Sequence, residues 1–145
     1  MIYLEKFDSF ENEDESPYTL ITRDDFAYAN SPKSKIKLKQ YFDVDDVYHI
    51  WDWCKENNKK VTFHDIVHKT IDIETDESLV DKIHKISIKK DSYKKSFSRI
   101  DLWIVIYPMP DYFYVLMDGV PNPNCQYWVV DNMVNLIDYL EDSFI

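Results

Sequence analysis

The chain has 145 residues, enough for one domain with a real core, and 27 acidic against 17 basic side chains leave it with a net charge of −10. Gly119 is its only glycine, where average usage of about 7% would give roughly ten. That count excludes Walker, Rossmann and kinase-type phosphate loops, which need glycines for close backbone approach, and the nucleophile elbow, which needs two.

No apolar run approaches the roughly 20 residues of a membrane span, and no basic-then-apolar leader opens the chain. Both features predict a protein of the producing cell's cytosol. Cys54 and Cys125 form neither a disulfide framework nor a metal pattern. They are expected to be reduced thiols in or near the core.

In chain order, Ile2–Phe7 alternates weakly as an edge strand would, and Glu11–Glu15 is an acidic, solvated loop. Tyr18–Thr22 is a second strand, and Asp24–Ser34 a turn-rich connection. Lys35–Tyr41 alternates strictly, with Ile36 and Leu38 on one face and a lysine ladder on the other, which protects an exposed edge. Asp43 caps a helix whose stripe is Val44, Val47, Tyr48, Trp51 and Cys54, and Asn57-Asn58 ends it. Thr62-Phe-His-Asp is expected to open a short helix with Phe63, Ile66 and Val67 inward. Thr75 or Asp76 is expected to cap a third, with Leu79, Val80, Ile83 and Ile86 inward. Such an array suggests helix-turn-helix, but His64, Asp65, His68 and Lys69 are too little to read DNA. Ser87–Ser98 is Lys-rich and is expected to be an exposed loop or frayed strand.

Arg99–Tyr107 and Tyr112–Asp118 are dense in β-branched and aromatic residues and flank a Pro-Met-Pro-Asp turn, which predicts an antiparallel hairpin. Pairing Tyr107 with Tyr112 sets Leu102, Ile104 and Ile106 opposite Met117, Val115 and Phe113 on a core face. The other face carries Trp103, Val105, Tyr107, Tyr112, Tyr114 and Leu116. It is either a second buried layer or a partner surface. Gln126–Val130 is a further strand, and Asp131 caps a last helix with Met133, Leu136, Ile137, Leu140 and Phe144 inward. The fold class is therefore α+β: a single domain over residues 1–145, with a central antiparallel sheet and three to four helices packed on it.

The charge is unevenly spread, −6 over residues 1–31, +3 over residues 32–99 and −7 over residues 100–145, where no Lys or Arg occurs. Such a field repels nucleic acid and steers a basic protein inward. The expected partner-binding residues are Trp103, Tyr107, Tyr112, Tyr114 and Trp128, ringed by Asp111, Asp118 and Asp131. His64 and His68 stand at the i, i+4 spacing with which a helix offers two imidazoles to zinc, but Asp65 replaces the glutamate of the metalloprotease pattern. The expected reading is a surface pair, with no metal and no cofactor.

The ending Gln126-Tyr-Trp-Val-Val followed by Asn132–Glu141 resembles that of the cytosolic immunity proteins of bacterial toxin systems, including contact-dependent growth inhibition. These are small, acidic, aromatic-rich α+β proteins. The resemblance implies a stoichiometric inhibitor that covers a toxin's active site or an adjacent surface, and not an enzyme. Two alternatives stand beside it: a phage-type inhibitor of a host defence protein, and a small hydrolase or nuclease using the His64/His68 region.

Overall fold

The computed structural model describes residues 18–21, 41–95, 98–110, 112–118 and 127–144. In chain order its elements are strand β1 (Tyr18–Ile21), helix α1 (Val44–Glu56), strands β2 (Val61–His64) and β3 (Thr70–Ile71), a 3-10 helix (Glu77–Lys82), strands β4 (Lys85–Lys95), β5 (Ser98–Pro108), β6 (Phe113–Asp118) and β7 (Tyr127–Val130), and helix α2 (Met133–Ser143). The strands form one seven-stranded sheet in the order β1-β7-β6-β5-β4-β2-β3, with every neighbouring pair antiparallel. The α+β class and the central antiparallel sheet agree with expectation. Two α-helices and one 3-10 helix are present among the described residues. No helix among these is long and apolar enough to cross a membrane. The expected elements at 2–7, 11–15 and 24–34 lie outside the described residues, as does the lysine ladder at 35–40.

Strand alternation sorts the sheet's side chains onto two faces. The first face carries Phe63, Ile86, Ile88, Ile104, Ile106, Phe113, Val115 and Val130, all in one buried cluster. Both α-helices close over it. α1 contributes Val47, Ile50, Trp53 and Cys54, and α2 contributes Leu136, Tyr139 and Leu140. Met133, Ile137 and Phe144 of the expected α2 stripe pack at the cluster's margin. The α1 stripe is rotated from expectation: Val44 is exposed, Tyr48 and Trp51 are half-buried, and Ile50 and Trp53 take the central places. Trp51 instead sets its ring edge-on to Phe63 at 6.3 Å, and Lys55 covers it at 4.1 Å. Asp43 occupies the N-cap of α1 with extended backbone. At the other end Asn57 caps, and Asn58 takes a left-handed φ of 55° where many helices use glycine.

The β5–β6 hairpin forms, but two residues out of the expected register. Tyr107 pairs with Tyr114, Ile106 with Val115 and Ile104 with Met117. Pro108 continues β5, and the Met109 N–H donates to the Tyr112 carbonyl at 3.0 Å, so the turn is tighter than expected. Because the side-chain period is two, a shift of two leaves both face assignments intact.

Three expectations between residues 62 and 98 are overturned. Val61–His64 is a strand, not a helix start. The Asp65 carboxylate accepts from the Val67 N–H (3.0 Å) and the Lys69 N–H (2.8 Å), closing a turn where a helix would have to continue. His68 sits at φ 65°, a left-handed position that an α-helix interior forbids. The third expected helix is a single 3-10 segment capped by Asp76, which accepts from the Ser78 N–H. Leu79 is exposed there, Val80 reaches the core margin, and Ile86 belongs to the following strand. No helix-turn-helix array remains. The Lys-rich stretch is β4, an interior strand between β5 and β2. Its lysines obscured an alternation in which Ile86 and Ile88 are fully buried. Its ladder to β5 runs from Ile86↔Ile106 to Lys95↔Ser98, with a bulge between Lys89 and Asp91.

This placement makes Ile88→Ala a core truncation. It should lower unfolding free energy in urea by about 2–5 kcal/mol. A frayed strand would lose less than about 0.5 kcal/mol, the range of ordinary surface changes.

Candidate functional site

The residues expected to bind a partner do not form one patch. Trp103, Tyr107, Tyr114 and Asp118 project from the second face of the sheet, as the β4–β5–β6 register requires. Trp128 projects from the first face, half-buried, with its ring 6.2 Å from Tyr139 of α2. It is packed beneath the helix and not displayed with the others. Tyr112 and Asp131 lie together at the hairpin end of the molecule. Asp111 is outside the described residues.

Tyr114 is 0% exposed, and its sheet neighbours Val105 and Val129 are also buried. The middle of the second face is thus a second buried layer, and Tyr114 offers nothing to a partner. Trp103 and Tyr107 are half-buried. Tyr107 receives the edge of His84 at 5.7 Å, and the Lys60 ammonium stands 5.9 Å from the Trp103 ring centre.

Two clefts remain. The first, about 230 Å³, opens where the N-terminal ends of α1 and α2 meet the β5–β6 turn. Its floor is Phe42, Met109 and Phe113, all buried, with Tyr112 half-buried beside them. Phe42 stacks on Phe113 at 6.1 Å. Asp43, Asp46 and Asp131 line it. Asn132, not Asp131, is the N-cap of α2: its side-chain oxygen accepts from the Asn135 N–H at 2.9 Å. Asp131 instead accepts from the Asn135 side-chain amide. Each helix N-terminus carries roughly +0.5 charge. Three carboxylates over two such ends leave this cleft negative. Asp43 and Asp46 fall outside the expected site because a cap residue and a first-turn acid serve the helix terminus; only the tertiary fold joins them to Tyr112 and Asp131.

The second cleft, about 260 Å³, lies on the second face across β2, β4, β5 and β6. Thr62, His64, Lys85, Ser87, Trp103 and Asp118 line it. The register explains the set. Thr62 pairs with Ser87, and His64 with Lys85; Trp103 pairs with Asp118. Thr62 and His64 alternate with the apolar Val61 and Phe63, and Lys85 and Ser87 with Ile86 and Ile88. That alternation is the available signal, masked where the first segment reads as a helix start and the second as an exposed loop or frayed strand.

His64 and His68 share no helix face, so the zinc-binding spacing is lost. Among the described residues, no group of three or more His, Cys, Asp or Glu side chains could hold a metal ion. His64 binds its proton less tightly than the ordinary histidine value of 6.5, first because of burial and then because of Lys85. Its Nδ1 is buried and makes no hydrogen bond. Cys54 is a free, buried thiol whose pKa burial pushes up to about 12, too high for a nucleophile. Cys125 is outside the described residues. No family model, curated protein or solved structure matches this chain.

Two outcomes follow. Tyr114→Ala should cost about 3–5 kcal/mol of folding stability, the range of buried aromatic truncations, measured by denaturant titration in the absence of any partner. The His64 shift has a definite sign. Between its lowered folded value and 6.5, the unfolded chain binds more protons than the folded one, so stability rises with pH there. The contribution is complete above that window and is lost as pH falls through the folded value. His64→Gln should flatten this part of the stability–pH curve.

Proposed function

We propose that this chain is a binding protein that neutralises a basic partner protein stoichiometrically, the role of an immunity protein against a bacterial toxin. The observation that carries the proposal is the first cleft. An aromatic and apolar floor (Phe42, Met109, Tyr112, Phe113) is rimmed by Asp43, Asp46 and Asp131. This is the division of labour of an interface, with an apolar centre and a polar edge. A lysine or arginine from a partner would set its aliphatic stem on the floor and its charge among the carboxylates. The net charge of −10 would steer such a partner from a distance. The same physics serves a phage-type inhibitor, since what is recognised is a basic protein surface. Residence in the cytosol belongs to this reading.

Purification from the native source should yield a basic protein at one copy per chain. Against that partner, Tyr112→Ala should cost at least about 2 kcal/mol of binding. Asp46→Asn and Asp131→Asn should mainly slow association, and added salt should erase the difference. Full affinity in all three variants, with folding unchanged, would move the interface away from this cleft. Recovery of the chain without a stoichiometric basic partner would overturn the inhibitor reading itself.

A further inference from the structure

The second cleft shares no residue with the first, and its chemistry is different. It is mixed in sign and ordered along its length. Lys85 and His64 stand at one end, the Thr62 and Ser87 hydroxyls in the middle, and Trp103 and Asp118 at the other. Lys85 and Asp118 are two strands and four residues apart in register. Strand geometry makes that about 16 Å between their Cα atoms. The volume, about 260 Å³, is just under the ~300 Å³ at which drug-sized pockets begin. It suits one small, elongated molecule and not a polymer.

We propose that this cleft binds a small phosphorylated nucleoside, with the phosphate at Lys85 and His64, the sugar against Thr62 and Ser87, and the base on Trp103 with its N–H donors at Asp118. Each position has a chemical reason. The Lys85 ammonium is the cationic donor for a phosphate oxygen, and the His64 ring stands beside it as a neutral polar group. Two hydroxyls both donate and accept, as sugar hydroxyls require of their partners. An indole ring is a stacking platform for any base. The Lys60 ammonium, 5.9 Å from the Trp103 centre, is at the outer limit of about 6 Å for attraction to the ring, so a base can displace it. A carboxylate is acceptor-only with about four lone-pair positions. Asp118 therefore suits a base edge carrying adjacent N–H groups, and guanine carries two.

The His64 ring lines the same end of the cleft as Lys85. Burial and Lys85 weaken the ring's hold on its proton, and a phosphate beside it would supply the charge that favours the protonated form. Overall negative charge slows the approach of an anion without preventing its binding, because at physiological salt the charges within about 8 Å dominate. Within that range a phosphate entering here meets Lys85.

The test is calorimetric titration of the full chain with guanosine monophosphate, guanosine and inorganic phosphate. The monophosphate should bind, with guanosine and phosphate each at least roughly tenfold weaker, the worth of one charge-assisted contact. Lys85→Gln should reduce the monophosphate to the affinity of guanosine. Asp118→Asn should weaken both nucleosides and leave phosphate unchanged. Both substitutions are outside the buried cluster, and circular dichroism checks their folding. No heat from the monophosphate at about 1 mM, a threshold of roughly 4 kcal/mol, overturns the proposal. So does parental affinity in both variants, which would put the ligand elsewhere. Phosphate binding as tightly as the monophosphate would overturn the sugar and base contacts.

Discussion

Ile86 and Ile88 of β4 lie opposite Ile106 and Ile104 of β5, and all four are closed to solvent. This block of cross-strand pairs sits at the centre of the sheet, with three strands on one side of the β4–β5 pair and two on the other. On β4 the alternation is apolar on one side only, so register is strongly specified there. A slip of one residue would drive lysines and a serine into the space beneath the helices. Each isoleucine also fixes its neighbours in the chain. With Ile86 and Ile88 turned toward α1 and α2, Lys85, Ser87 and Lys89 must face the other way. The second cleft is thus the reverse side of the core's own alternation.

Where this alternation ran without competition, the sequence was legible. Leu102 to Pro110 contains no charge, and the hairpin, the sorting of its side chains onto two faces and the α2 helix, though not its cap, follow from the sequence. The two-residue register error came from the prolines. Pro108 reads as the start of the turn, yet it pairs with Phe113 at the end of the ladder, where its missing N–H interrupts no further pair. The failures cluster between residues 62 and 98, where local signals and tertiary need diverge. Thr62 and Asp65 resemble a capping box, but Asp65 spends its carboxylate on a turn of its own. The lysines of β4 suggested solvent, although a lysine stem can lie along an apolar surface with only its head in water.

The site was legible only in its residue types. Aromatics and aspartates stand out in the sequence, but their grouping depends on long-range facts. Trp128 and Tyr114 read alike in sequence, each an aromatic in an apolar strand. The first lies under α2 and the second in the buried middle of the opposite face. Asp46 and Asp131 are 85 residues apart in the chain and share a cleft because both α1 and α2 begin at the same end of the sheet. Spacing along the sequence holds no trace of that meeting.

The scarcity of glycine links the backbone to the way this molecule can recognise anything. Left-handed positions among the described residues fall to Asn58 and His68. Asparagine visits that region readily, because its short amide can bond to the local backbone. Histidine is less common there, and at the β2–β3 turn it is held by the ring of bonds around Asp65. Phosphate-binding loops solve anion recognition with backbone N–H groups exposed by glycine. A chain with one glycine has little access to that solution. Any anion it binds must be met by side chains projecting from regular elements. On this sheet the described cleft combining a cation, hydroxyls and a stacking surface is the one built on Lys85, Ser87, Thr62 and Trp103. Its strands are rigid because their reverse sides are the core. The backbone positions from which the cleft's side chains project are consequently fixed by packing on the opposite face of the sheet.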